Sequence, residues 1–151
     1  MNFLSVLSAV ELLQSNNQSL QKKLDSYNLV RLKEVKKQLL SNIKELDSFS
    51  IIENQSDLSA DEMKQIIFEI KAEIKNLVVL LLSNQNNKPF ISLMISEDLV
   101  KSKNWNAGLI IRELAKEIKG GGGGQPFFAT AGGSDVNGLK KVILKAREIF
   151  K

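Results

Sequence analysis

No cysteine and no histidine occur among the 151 residues. The first absence excludes disulfides, thiolate zinc sites and cysteine nucleophiles. The second removes the commonest general base near neutral pH and the usual partner of a serine nucleophile. Carboxylates or lysines could still act in isolation, but the expectation is a chain with no catalytic centre, no metal site and no cofactor of its own. Long apolar runs are also missing. The longest, Leu77 to Leu82, is far too short to cross a bilayer, and Met1-Asn2-Phe3-Leu4 has neither the basic start nor the cleavage site of a secretory signal. A cytoplasmic setting without a membrane partner follows as the expectation.

What is present sits at globular averages, with 43% apolar and 25% charged residues, so a folded core is expected rather than disorder. The chain is long enough for one core plus an appendage. Its net charge of +4 is unevenly spread. Seven cationic residues stand against four anionic ones in 1–46, six against nine in 47–104, and eight against four in 105–151. Basic ends around an acidic middle suit a protein that offers one surface to phosphates. Ordinary solvated, lysine-rich helix faces would give the same count.

Residues 1–88 contain no proline and residues 1–46 no glycine, so the start reads as helix. Phe3, Leu4, Leu7, Val10 and Leu12 or Leu13 recur at helical spacing, and Ser15-Asn16-Asn17 interrupts them. Leu20, Leu24, Tyr27, Val30, Leu32, Val35, Leu39, Ile43 and Leu46 resume the pattern in 3-and-4 steps. The expectation is a coiled-coil-like helical arm over 1–46, a short helix plus a long one, whose narrow apolar seam wants a partner. Residues 47–151 are expected to form a small globular domain of α+β or α/β class, with a mixed sheet of about four strands and three flanking helices. Phe49 to Ile52 is a strand candidate, and Ser59 with Glu62 matches a capping box at the head of a helix. Leu77 to Leu82 shows no alternation and reads as a central strand covered on both faces. Ser83 to Asn87 turns the chain into a second strand, Phe90 to Ile95. Glu97 to Lys103 reads as a helical turn and loop. Asn106 caps a helix that buries Ala107, Ile111, Leu114 and Ile118 and exposes Arg112, Lys116 and Lys119. After the glycines come a short strand over Gln125 to Ala131 and a final helix capped by Ser134 or Asp135. That helix exposes Lys140, Lys141 and Lys145.

The segment from Gly120 to Gly133 is what core packing does not explain. Five consecutive glycines, Gly120, Gly121, Gly122, Gly123 and Gly124, carry a large entropic cost of ordering, so they imply positive φ or a backbone that must be approached closely. A flexible connector is the other reading. No Gly-Lys-Ser/Thr follows, which excludes a nucleotide-hydrolase phosphate loop. Gly132 and Gly133 precede the last helix, where free amides favour an anion, although a tight turn would need the same residues. In a strand Phe127 and Phe128 would point to opposite faces, one to the core and the other near the surface beside the glycines, where it either simply packs or offers a base a ring to stack on. Trp105, just before the cap, reads as a hydrophobic staple.

Asn106-Ala107-Gly108, Glu113-Leu114-Ala115-Lys116-Glu117-Ile118 and the run GGGGGQPFFATAGG resemble the signature of the C-terminal domain of alanyl-tRNA synthetases. The resemblance is strongest over about residues 100–150 and rests on helical character alone for 1–46. It implies a helical subdomain followed by a globular domain shared with the DHH phosphoesterases, the DHH-associated domain. It also implies binding to the outer corner of the L-shaped tRNA, cooperation between aminoacylation and editing, and dimerisation through this region. The implied partners are tRNA, the upstream domains of the parent enzyme and, through the arm, a second copy. Sites for ATP, magnesium and alanine, and a zinc-bearing editing site, would lie upstream, so a fragment of a longer ligase is expected. The related DHH phosphoesterases place a histidine just after the glycines; Gln125 stands there, which favours the synthetase branch. The residues expected to meet RNA are Gly120 to Gly124, Gln125, Phe127, Gly132, Gly133, Arg112, Lys116, Lys119, Lys140 and Lys141. An oligomerisation module and a phosphoesterase substrate domain are the alternatives.

Overall fold

A computed structural model describes residues 2–151, which divide into two compact units, one up to Lys37 and the other Gln38–Lys151. One helix, α1 (Phe3–Ser41), supplies all of the first unit's structure and its last turn belongs to the second. The expected break at Ser15-Asn16-Asn17 is not there: the helix passes through it without interruption. Serine and asparagine cost only about 0.5 kcal/mol each in a helix interior. With neither glycine nor proline nearby, nothing in this stretch forces an end. The expected extension to Leu46 also fails, because Lys44 and Glu45 are drawn into a two-residue strand, β1 (Lys44–Glu45).

Among the described residues of the second unit, six strands form one mixed sheet, two more than expected. They are β1, β2 (Ser50–Ser56), β3 (Leu77–Gln85), β4 (Lys88–Ile95), β5 (Gly121–Gly124) and β6 (Phe128–Gly132), in the order β1-β2-β3-β4-β6-β5. Only β2 and β3 run parallel, and the connection between them is α2 (Ala60–Glu73). The capping box that opens α2 is formed: Glu62 N–H donates to Ser59 Oγ, and Ser59 N–H to Glu62 Oε2 at 2.8 Å. β3 and β4 make a hairpin in which only Asn86 and Asn87 turn, both at positive φ (53° and 61°). That geometry suits the right-handed twist of the flanking strands, and asparagine tolerates it. Then follow α3 (Glu97–Lys103), α4 (Ala107–Ala115), a 3-10 turn over Lys116–Ile118, the β5–β6 pair, a second 3-10 turn over Val136–Gly138, and α5 (Leu139–Ile149).

The lack of alternation in β3 has the expected meaning, since Leu77 to Leu82 are all buried. Val78, Leu80 and Leu82 share a core with Ile91, Leu93 and Ile95 of β4, Ala129 and Ala131 of β6, Ile111 and Leu114 of α4, and Val142 and Ala146 of α5. The opposite face carries Leu77, Val79 and Leu81, and α2 contributes buried Met63, Ile66, Ile67 and Ile70. Trp105 packs edge-on between Phe49 and Phe150, with ring centroids 5.2 and 5.0 Å away. Asn106 Oδ1 accepts from Leu109 N–H at 3.2 Å and caps α4 as read.

Glu53 of β2 joins the ends of the domain. Its nearly buried carboxylate accepts from Lys44 Nζ at 2.7 Å and from Arg147 of α5 through both Nε and a terminal guanidinium nitrogen, at 2.9 and 2.6 Å. Burial pushes this carboxyl up, but the hydrogen bonds from Arg147 and Lys44 outweigh it and hold the group below its ordinary value of 4.5. Protons therefore bind the unfolded chain more readily than the folded one. The stabilisation is complete above that ordinary value and is lost as pH falls through the lower folded one. Glu53→Gln is expected to cost about 1–2 kcal/mol at pH 7 and to converge on wild type in strong acid, as read by urea melts across pH. A constant difference down to the acid limit would contradict this role.

Candidate nucleic-acid interface

The glycines are neither loop nor connector. Gly121–Gly124 form β5, an edge strand held by antiparallel pairing with β6, Gly121 opposite Gly132 and Gly124 opposite Ala129. Glycine has little intrinsic tendency to form strand, so the reason must be steric. A Cβ on Gly122 would overlap the Thr130 carbonyl oxygen and come 2.5 Å from Ala131 Cα. A Cβ on Gly120 or Gly124 would likewise run into the main chain of β6 or its continuation at Gly132 and Gly133. These three positions let two backbones meet face to edge. Positive φ is not the cause for Gly120 to Gly123, none of which adopts it.

Gly121 and Gly123 differ. Nothing lies within 4 Å of a Cβ on Gly121, and on Gly123 only the Arg112 guanidinium is near, at 3.6 Å, an ordinary contact. The protein's own packing therefore does not require glycine at either. Arg112 is placed by α4, which backs closely onto β5 at Gly108, where an added Cβ would fall 2.8 Å from the Gly124 carbonyl oxygen. One helical turn later, Arg112 lies on the same side of α4. An exposed, side-chain-free strip of main chain thus runs beside a guanidinium.

The other expected contacts are distributed less favourably. Lys119 is exposed and takes left-handed φ (51°), so it rather than a glycine ends the helical segment. Lys116 Nζ pairs with Glu113 at 2.7 Å, and Lys145 of α5 bridges to Glu117 at 3.4 Å. The Glu113 carboxyl is held below its usual range, first by the hydrogen bond from Lys116. Lys140 and Lys141 are exposed on α5, and Lys141 lines a shallow groove with Glu117 and Glu148 that includes none of the glycines. Gln125 is exposed in the turn between β5 and β6, its N–H bonded to the Phe128 carbonyl at 2.8 Å. Phe127 stands before β6, so the strand alternation expected of it does not apply. Both Phe127 and Phe128 reach residues of α2, with Lys71 Nζ 4.8 Å from the Phe127 centroid and the Phe68 ring 5.4 Å from Phe128.

The anion site expected at Gly132 and Gly133 lacks its donors. Gly132 ends β6, six residues separate Gly132 from α5, and the Gly133 amide is already bonded to the Pro89 carbonyl at 3.1 Å. The Ser134 and Asp135 amides both bond to the Ile118 carbonyl at 2.9 Å, and Asp135, itself anionic, caps the 3-10 turn. Among the described residues, no group of three or more acidic, histidine or cysteine side chains could hold a metal ion, and no helix is long and apolar enough to cross a membrane.

A helix-backed mixed sheet whose glycine edge strand is packed against α4, with Arg112 beside it, defines a class of small α/β domain. The DHHA1 domain family matches residues 42–151, and the chain belongs to that family. It is homologous to alanyl-tRNA synthetases. The alanine–tRNA ligase of Cytophaga hutchinsonii is 44% identical over 133 residues, covering 87% of this chain and 15% of that protein. That of Christiangramia forsetii is 39% identical over 145 residues, covering 96% and 17%. The chain thus spans about a sixth of the length of these relatives. The fold matches the C-Ala domain from Aquifex aeolicus alanyl-tRNA synthetase with a TM-score of 0.64 at 23% identity, over 71% of this chain and 96% of that one.

The two kinds of glycine give opposite expectations for alanine. Gly122→Ala should destabilise the domain by about 2–3 kcal/mol or free the edge strand, since backbone must move. Gly121→Ala should stay within about 0.5 kcal/mol of wild type. Chemical denaturation of both variants checks this; equal losses would contradict the division.

Proposed function

We propose that the chain is a tRNA-binding domain of an alanyl-tRNA synthetase that grips the outer corner of folded tRNA through its sugar–phosphate backbone. The observation that carries this reading is the bareness of Gly121 and Gly123 beside Arg112. Main-chain groups unshielded by side chains can approach phosphate and sugar oxygens closely, and an adjacent guanidinium supplies charge and a bidentate fork. Such contacts fix position without reading bases, so discrimination among tRNAs is left to the rest of the enzyme. Its upstream domains would carry alanine ligation with ATP and magnesium and zinc-dependent editing, in a cytoplasmic enzyme. Gly121→Val, which fits an open strand position, is expected to keep the fold and weaken tRNA binding at least tenfold. Arg112→Ala should weaken it and reduce the slope of log K against log salt by about one. Filter binding over a salt series measures both. Salt-independent binding, or wild-type affinity in Gly121→Val, contradicts the proposal.

A second role, pairing with another copy through α1, is favoured by a separate observation. Phe3, Val10, Asn17 and Leu24 alternate with Val6, Leu13, Leu20 and Tyr27 in a strict seven-residue repeat. Every apolar member of that set is exposed. Such a seam associates when matched with a second helix, and a polar Asn17 at one position of it fixes register. Leu20→Glu with Leu24→Glu is expected to convert a concentration-dependent dimer to monomer in sedimentation equilibrium. A wild-type chain that is monomeric at all concentrations rules this role out.

A further inference from the structure

A groove of about 420 Å³ opens at the end of the sheet where the β3–β4 hairpin turns, within the roughly 300–1,000 Å³ of small-ligand sites. Its wall includes Ser83, Lys88, Phe90, Gly132 and Gly133, with Ala60 at the head of α2. It continues the bare edge strand directly, because Gly132 lines it and pairs with Gly121. Gln125 and Phe127 lie at the far end of β6.

Ser83 supplies the groove with a hydroxyl. The residue is 1% exposed, but it lines the groove, and its hydroxyl is not among the buried unpartnered groups of the described residues, so it opens towards the groove. A hydroxyl that faces the groove can exchange its water for a ligand donor or acceptor. Beside it Phe90 presents a half-buried ring, with Gly132 leaving space over it; a Cβ there would come 3.8 Å from the ring. Lys88 is the one charged residue lining the groove, and it is exposed. The start of α2 adds no phosphate site. Ser59 and Glu62 already close its capping box, and Asp61 and Glu62 in its first turn repel a second anion.

We infer that this groove receives a single nucleotide, its base on the Phe90 ring, a base or sugar polar group on Ser83, and its phosphate at Lys88. Unstacked bases are recognised by aromatic faces plus a few convergent polar groups, with lysine as the point charge for phosphate. A plain anion site would not need the ring, and an apolar ligand would leave Ser83 unpartnered. In the setting of the tRNA-binding reading, on which this extension rests, the nucleotide is one turned out of the RNA next to the backbone held by β5.

The test uses the isotope-labelled full chain. Adenosine 5′-monophosphate or uridine 5′-monophosphate, titrated to about 20 mM, should give saturable amide shifts at Ser83, Phe90, Gly132 and Gly133, as befits an affinity near 1 mM. Inorganic phosphate should reproduce only the shift at Lys88. Ser83→Val and Lys88→Ala, the second at an exposed position that does not bear on folding, should each weaken tRNA binding about fivefold while the salt dependence contributed by Arg112 persists. Absent or scattered shifts, full reproduction by phosphate, or wild-type tRNA affinity in both variants overturns the inference. Wild-type protein that shifts with nucleotide but binds no tRNA would sink the tRNA reading and leave the nucleotide site standing.

Discussion

The domain depends on one close approach, that of the β5 backbone to the backbone of β6. Ordinary neighbouring strands keep their side chains out of the plane of pairing. Here Gly120, Gly122 and Gly124 turn the direction a side chain would take straight into β6 and its continuation. Their only workable side chain is hydrogen. This closes the sheet edge and lets α4 settle on it at Gly108. Arg112 is set down beside Gly123 as a consequence.

From that constraint follows a division of labour within a single residue type. Alternate glycines hold the fold, and those between them leave the outer surface bare. A run of identical letters conceals this division, since glycine at every position is compatible with turn, connector or strand. Strand periodicity and a neighbouring backbone are both needed to separate the two sets. The same physics governs the helix that precedes the run: Lys116 and Lys145 are engaged with Glu113 and Glu117 on α4 and the turn after it. The cations left at the edge are accordingly Arg112 and Lys119 rather than a broad lysine ridge.

What was legible in the sequence was local. The capping box at Ser59 and Glu62, the Asn106 cap and the buried run from Leu77 to Leu82 each express a rule confined to a few neighbours, and each is present. The resemblance carried by the 106–133 segment led to the right family. The continuity of α1 is not legible in the sequence, because Ser15-Asn16-Asn17 weakens a helix without ending it, and cooperativity along 39 residues absorbs the loss. β1 and β5 were invisible for a different reason. Lys44 and Glu45, like the glycines, have no strand character of their own and are recruited by partners distant in sequence. The anion site expected at Gly133 failed because the Pro89 carbonyl, 44 positions earlier, takes its amide. Ser83, Lys88 and Phe90 carried no motif; only the hairpin and the end of β6 bring them to one groove.

A bare strand beside a guanidinium is a chemical opportunity that a folded RNA backbone fits, and its signals can be watched one residue at a time. Glycine amides resonate apart from most others, so a titration of labelled chain with tRNA follows Gly121, Gly123 and the Arg112 side chain directly. The account predicts that these three move first and together, with the helix α5 lysines changing little. Shifts confined to α5, with the glycine and Arg112 signals unmoved at saturation, would contradict it.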